Sequence, residues 1–220
     1  WPKQMSLLTP SFHSNSFGLT DLNAIDPETS PADFLRTQHP TGDQYAKYLQ
    51  AVADYNELPI RKGVEVSTIR KEERKFIVTT NQNDIVADIV IWASGQFFSP
   101  KESVFPGANL ALHSSKVDDW SDLKGDEFVI IGGYESGVDA ALNLVDLGKS
   151  VCLYSRGEPW SSDHPDPSRS LSPRTLDRLR GILRSPEKMK NLNLFKNADI
   201  CKLEESHGWW TLYDQDDIPS

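Results

Sequence analysis

The sequence predicts an α/β fold in two halves of different texture, and three observations carry that prediction. A strand, a helix and a second strand are expected in succession at Phe128–Ile131, Ser136–Leu147 and Ser150–Tyr154. Alternating apolar and polar residues over 64–87 predict a small antiparallel β meander. The run Asp88–Ala93 is almost continuously apolar, which is typical of a parallel strand buried on both faces.

Composition narrows the classes of partner. The 220 residues are 38% hydrophobic and carry a formal net charge of −9, which argues against a nucleic acid or an anionic membrane as partner. No apolar run approaches the roughly 20 residues of a membrane span. The two cysteines, Cys152 and Cys201, are expected to be buried thiols in a reducing compartment, the cytoplasm. The five histidines show no metal-ligand spacing, so no metal is predicted.

The first half begins with a loop and continues with a helix. Residues 1–40 are rich in proline and predict loops, and the absence of an initiator Met before Trp1 indicates a start inside a longer protein. Apolar residues at helical spacing predict a helix over Gly42–Leu58, with Thr41 and Gln44 forming a capping box.

The remaining elements are predicted in chain order. The meander is expected to use Val64–Arg70, Lys75–Thr80 and Ile85–Ala87 as strands, and the connector at 100–119 marks a domain boundary near residue 100. After the strand–helix–strand unit, a helix is expected from a proline start. This helix is expected over Pro173–Leu183. Further strands are expected at Leu192–Phe195, Asp199–Glu204 and Trp209–Tyr213.

A glycine turn lies between the strand at 128–131 and the helix that follows it. Gly132 is expected to make the tight turn and Gly137 to let the helix pack close to the strand. The N–H groups of a helix start attract a diphosphate, so the predicted binding site comprises Gly132, Gly133, Tyr134, Glu135, Ser136 and Gly137. Tyr134 replaces the middle glycine of the G-x-G-x-x-G pattern, which leaves an ordinary strand–helix turn as the alternative.

The end of the second strand indicates which dinucleotide is bound. An acidic residue usually stands here to bind the ribose hydroxyls of NAD, but this sequence has Ser155 and Arg156. A guanidinium offers a fork of donors to a 2′-phosphate, which an acid would repel. The pair therefore predicts NADP rather than NAD, and the alternative for Arg156 is a solvated surface arginine.

Several segments together resemble the flavin-containing monooxygenase and thioredoxin-reductase-like superfamily, and bacterial flavin-containing monooxygenases in particular. Two of these segments are closest to the family pattern. One is the strand that ends in Ala-Ser-Gly, and the other contains Gly-Gly-x-Glu-Ser-Gly. The segments that carry the resemblance are Leu8–Phe12, Asp21–Ile25 with Thr29–Pro31, His39–Leu49, Ile91–Gly95, Ile131–Gly137 and Leu171–Pro173.

This resemblance implies two Rossmann-like domains that bind FAD and NADPH, with hydride transfer from NADPH to flavin. Residues 101–220 would be the NADPH-binding domain. Residues 1–100 would be the rest of an FAD-binding domain, incomplete because its N-terminal Gly-x-Gly-x-x-Gly unit would precede Trp1, so the chain alone is expected to be inactive. The resemblance also implies a small-molecule substrate and is compatible with a homodimer. By likeness, the flavin side would involve Val66, Ser94, Gly95, Thr9 and Ser11.

Alternatives to a monooxygenase remain open at this point. The monooxygenase motif Phe-x-Gly-x-x-x-His is matched loosely by Phe105, Gly107 and His113, because five residues separate Gly107 from His113. A disulfide reductase is the rival within the enzymes, and a nucleotide-binding module without turnover is the rival outside them. No catalytic side chain is assigned from the sequence.

Overall fold

A computed structural model of the chain describes residues 24–25, 29–37, 40–95, 100–162, 164 and 169–215. Thr9 and Ser11, which the resemblance placed near the flavin, lie outside the described residues. Contacts divide the chain into two units, residues 1–48 with 100–220, and residues 49–99. The domains predicted at 1–100 and 101–220 have other bounds than these units and remain a prediction.

The unit formed by residues 49–99 contains the predicted meander. Its strands are β1 (Val66–Glu72), β2 (Lys75–Thr80) and β3 (Ile85–Ala87), paired antiparallel in that order. Ile69 lies opposite Val78. The meander is confirmed because alternating side chains and a tight turn at 73–74 are local signals that the sequence displays directly.

The strand predicted at Asp88–Ala93 is wrong. Residues 88–95 contain no strand, and Ile89, Ile91 and Trp92 are 79%, 85% and 72% exposed. A strand needs a neighbour that takes its backbone hydrogen bonds. Among the described residues none is paired with this segment, and the apolar composition alone could not reveal that.

Two helices lie before residue 56. Helix α1 (Pro31–Leu35) was missed, although Ser30 caps it and Pro31 opens it, a pattern the sequence contains. Helix α2 (Gly42–Tyr55) confirms the helix predicted at Gly42–Leu58, which ends three residues earlier. Its capping box is reciprocal: the Thr41 N–H donates to Gln44 Oε1 at 2.9 Å, and the Gln44 N–H donates to Thr41 Oγ1 at 3.2 Å.

A three-stranded parallel sheet forms the centre of the larger unit. The elements are β4 (Glu127–Ile131), α3 (Glu135–Asp146), β5 (Ser150–Tyr154), α4 (Pro173–Arg184), α5 (Pro186–Met189) and β6 (Leu192–Phe195). The strands are ordered β4–β5–β6 and pair in register, with Val129 opposite Cys152 and Leu153 opposite Leu194. The α/β prediction is confirmed, and so is the strand–helix–strand unit.

The hydrophobic core lies on one face of this sheet, under α3 and α4. Val138 and Leu153 are fully buried there, and Leu179 is 1% exposed. Burial of each such side chain stabilises the folded state by roughly 1.5–3 kcal/mol. Val129 and Ile131 of β4 lie on the opposite face of the sheet and are exposed.

A hairpin of β7 (Ile200–Ser206) and β8 (Trp209–Asp214) ends the described chain. The Leu203 N–H donates to the Pro106 carbonyl at 3.0 Å, so the hairpin is fixed to the connector. Cys152 and Cys201 are free thiols, and both are half-buried rather than buried as predicted, because each lies on a strand face that is only partly covered. None of the helices within the described ranges combines the length and hydropathy needed to cross a membrane.

Candidate functional site

The glycine turn lies at the carboxyl edge of the parallel sheet, where ligands of such sheets bind. Gly132 has φ +110°, a conformation that side chains other than glycine rarely adopt. Its N–H donates to the Tyr154 carbonyl at 2.9 Å, which extends the ladder between β4 and β5 by one bond. The tight turn expected at Gly132 is confirmed.

Two further glycines of the turn have no room for a side chain. A Cβ on Gly137 would lie 2.9 Å from the Gly132 carbonyl carbon, and closer still to its oxygen. A Cβ on Gly133 would meet the side chains of Ser155 and Trp160. The close packing predicted for Gly137 is confirmed, and the backbone at Gly133 is pressed against the end of β5.

The start of α3 has no side-chain cap. Tyr134 occupies the N-cap position in an extended conformation, and its side chain accepts no hydrogen bond from the helix. By contrast, Ser172 caps α4 by accepting the Thr175 N–H at 3.3 Å. Because the first N–H groups of a helix have no acceptor within it, the start of α3 is suited to an anion.

The side chains of Tyr134 and Glu135 form hydrogen bonds with the start of α4 and with the loop before it. The Tyr134 hydroxyl donates to the Ser170 carbonyl at 2.8 Å. The Glu135 carboxylate accepts hydrogen bonds from Ser172 and Thr175 at the start of α4. These α4 residues could not be found from the sequence, since contacts across 36 to 40 residues leave no spacing pattern.

Ser155 and Arg156 lie one strand away from the glycine turn. Ser155 is buried, and its Oγ accepts the Gly157 N–H at 3.4 Å. The Arg156 side chain is 82% exposed, with its Nε 4.0 Å from Asp199 Oδ1. An exposed pair at that separation is weak, so the guanidinium can exchange Asp199 for a stronger anion.

An ion pair adjoins Arg156 at the ends of β5 and β6. Lys196 Nζ lies 2.9 Å from Glu158 Oε2, and the Ser161 hydroxyl donates to the other carboxylate oxygen at 2.9 Å. The hydrogen bond from Lys196, helped by the one from Ser161, lowers the pKa of Glu158. The Glu158 carboxylate is therefore already paired with the Lys196 ammonium group.

The remaining predicted residues lie in the unit of residues 49–99 or outside the description. Val66 begins β1, and Ser94 and Gly95 follow β3; all three are exposed. Gly95 has φ +79°, and a Cβ there would meet no atom within 4 Å.

Comparison with known proteins places this geometry in a family. The model of the pyridine nucleotide-disulphide oxidoreductase family matches residues 1–218. This chain belongs to that family. The membership agrees with the resemblance seen in the sequence, which named the same group of two-dinucleotide flavoproteins.

Individual relatives match parts of the chain. An uncharacterized CzcO-like oxidoreductase of Geobacillus kaustophilus is 34% identical over 110 residues, covering 48% of this chain and 32% of its own length. A ferredoxin–NADP reductase of Mesorhizobium japonicum is 37% identical over 97 residues, covering 41% of this chain and 28% of its own. The chain therefore spans about a third of the length of these curated relatives in the matched regions.

A solved structure shows the same fold. The bacillithiol disulfide reductase Bdr of Staphylococcus aureus superposes with a TM-score of 0.66 at 21% identity, over 94% of this chain and 61% of that one. At that identity the likeness concerns the fold alone. Among the residues described, no group of three or more His, Cys, Asp or Glu is arranged to hold a metal ion.

Proposed function

We propose that the chain is part of an FAD- and NADPH-dependent oxidoreductase and that residues 101–220 bind the NADPH. One observation carries the proposal: a glycine turn leads into a helix without a side-chain cap, one strand away from the exposed Arg156. The diphosphate would lie at the start of α3, and the 2′-phosphate would bind the guanidinium.

The residues present fit a dinucleotide. Gly132 and Gly133 bring backbone rather than side chains to the edge of the sheet, which lets a diphosphate approach closely. The net charge of −9 gives no general attraction for phosphates, so local donors must supply it. Ser155 and the exposed Arg156 stand where an NAD site would carry an acid, which supports binding of the 2′-phosphate at this position.

The flavin belongs to the same proposal. When bound, the flavin accepts a hydride from the nicotinamide and carries the redox chemistry. Residues 1–100 would contribute to its site through Val66, Ser94, Gly95, Thr9 and Ser11, as the sequence resemblance implies. A small-molecule substrate and a cytoplasmic location complete the proposal, the latter in keeping with the free thiols of Cys152 and Cys201.

A flavin-containing monooxygenase is the finer assignment that we propose, with a disulfide reductase as the alternative. His113, in the loosely matched motif, uses Nδ1 locally: it accepts the Ser115 N–H at 3.2 Å and lies 2.9 Å from the Ser115 hydroxyl. This favours a structural histidine over a catalytic one, so the assignment depends on the family likeness and not on a motif. Because the chain alone is expected to be inactive, the two are distinguished in the whole protein, by oxygen uptake with NADPH compared with turnover of a small disulfide.

The test of the proposed function is a titration of the chain with NADPH and NADH followed by tryptophan emission. Trp160 lies against Gly133, so a bound dihydronicotinamide nucleotide should quench it by energy transfer. We expect NADPH to bind at least about tenfold more tightly than NADH, since a charge-assisted pair with a phosphate is one of the stronger hydrogen-bonded contacts.

The variant Trp160→Phe provides the control, because it should lose part of the quenching while keeping the affinity. Addition of FAD and then NADPH tests the second cofactor through loss of the flavin absorbance. If neither nucleotide binds the wild-type chain, the proposed function is wrong. Because the chain alone is expected to be inactive, binding of NADPH without flavin reduction agrees with the proposed function. Reduction of added FAD by NADPH would exclude the nucleotide-binding module without turnover, the alternative suggested by Tyr134 in the glycine turn.

A further inference from the structure

The carboxylate of Glu135 joins the glycine turn to the start of α4. Its Oε1 accepts the Ser172 N–H, and its Oε2 accepts the Thr175 hydroxyl at 2.7 Å and the Ser172 hydroxyl at 3.4 Å. Thr175 is buried, and Glu135 is the first residue of α3. One side chain thus connects the beginnings of two helices that are distant in sequence.

The preceding residue makes a parallel connection. The Tyr134 hydroxyl donates to the Ser170 carbonyl at 2.8 Å, and Leu171, the next residue, is buried in the core. Two successive residues of the glycine turn therefore hold the loop at 170–172 on both sides of a core anchor. The turn and the start of α4 are fixed to one another within the same unit.

The hydrogen bonds of Glu135 determine where its negative charge lies relative to the start of α3. A free carboxylate in the first turn of α3 would repel a diphosphate bound at that helix start. Here the carboxylate faces the positive end of α4 instead, where helix N–H and hydroxyl groups donate to it. The N-terminal end of α4 thus compensates a charge that would otherwise oppose the ligand.

We infer that Glu135 is a positioning residue for the dinucleotide site, acting through Ser172 and Thr175 and not by contact with the nucleotide. The inference rests on the proposed function, because it assumes that a diphosphate binds at the start of α3. Loss of the connection would free the loop at 170–172, leave the start of α3 less fixed, and weaken NADPH binding.

Variants of Thr175 distinguish this positioning role from direct contact between Glu135 and the nucleotide. It belongs to α4 and reaches the glycine turn through Glu135, so Thr175→Val removes one donor from the connection and leaves the carboxylate in place. Thr175→Ser keeps the hydroxyl and should rescue the affinity. If Glu135 touched the nucleotide itself, the valine and serine variants would bind NADPH alike.

The experiment measures the dissociation constant of NADPH for folded protein, with folding checked by circular dichroism. We expect Glu135→Ala to weaken binding about tenfold and Thr175→Val about threefold, as the loss of charge-assisted hydrogen bonds implies. Glu135→Gln keeps one acceptor, for the Ser172 N–H, and its amide can donate to the Thr175 hydroxyl, so it should weaken binding less than Glu135→Ala. Asp146→Ala is the matched control, since it removes an ion pair of Asp146 with Lys188 at the far end of α3.

A second ligand separates positioning of the diphosphate from general damage. Adenosine 2′-monophosphate carries the 2′-phosphate but no diphosphate, so its affinity should change less than that of NADPH in Glu135→Ala and Thr175→Val. Equal losses for both ligands, or wild-type NADPH affinity in these two variants, would overturn the inference. If the wild-type chain itself fails to bind NADPH, the proposed function falls and takes this inference with it, a result distinct from an effect of the variants. If Glu135→Ala does not fold, the Thr175→Val and Thr175→Ser pair decides alone.

Discussion

Replacement of Gly137 by alanine tests whether the glycine turn is as tightly packed as the structure indicates. The added methyl would lie 2.9 Å from the Gly132 carbonyl carbon, closer to its oxygen, and 3.5 Å from Ile130 Cγ2. Unstrained carbon contacts are about 3.5–4.0 Å. The nearest obstacle is backbone, which cannot rotate away, so the start of α3 must move from the sheet.

The expected cost follows from two opposing effects. Overpacking against a rigid neighbour costs up to about 3 kcal/mol. Alanine is more favourable than glycine within a helix by about 1 kcal/mol, which leaves a net loss of about 2 kcal/mol. For a chain of this size that loss should lower the melting temperature by about 4–8 °C.

Thermal unfolding followed by circular dichroism measures this, with Gly181→Ala as the matched control. Gly181 lies in the interior of α4, and a Cβ there would meet no atom within 4 Å. This substitution should raise the stability by about 1 kcal/mol, because only helix propensity changes. A Gly137→Ala variant as stable as Gly181→Ala would refute the account of the turn.

Three further variants test the core and an ion pair. Leu153→Ala, in a fully buried position, should cost about 2–5 kcal/mol in urea unfolding, whereas Val129→Ala on the exposed face of the same sheet should cost less than about 1 kcal/mol. Lys196→Ala should raise the pKa of Glu158 towards its ordinary value, measured by carboxyl NMR titration. The depressed pKa of that carboxyl means that its stabilising contribution is present above the ordinary pKa of Glu and is lost as the pH falls through the lowered value, so the variant should show less acid dependence in that window.

The elements that the sequence predicted well are those whose signals are local. The capping box of Thr41 and Gln44 spans three residues, and the structure contains both of its hydrogen bonds. The unit from β4 to β5 combines a helical period with a glycine turn, and Gly132 and Gly137 behave as their positions in that turn require.

What the sequence could not predict depends on neighbours distant along the chain. An apolar run such as 88–93 has the same composition whether or not another strand lies beside it, and its exposure was therefore unforeseen. The bonds from Glu135 to Ser172 and Thr175 likewise follow from how α4 packs beside α3. The glycine turn could be recognised from the sequence, whereas the side chains that connect it to α4 could not.

The most direct test of the central claim is the ratio of the dissociation constants for NADH and NADPH in wild type and Arg156→Leu. The account predicts that Arg156→Leu weakens NADPH binding about tenfold and leaves NADH nearly unchanged, since only the 2′-phosphate loses its partner. Arg180→Leu removes the same charge from another exposed arginine and should alter neither constant. An unchanged preference for NADPH in Arg156→Leu, or equal losses for both nucleotides, would contradict the placement of the 2′-phosphate at the end of β5.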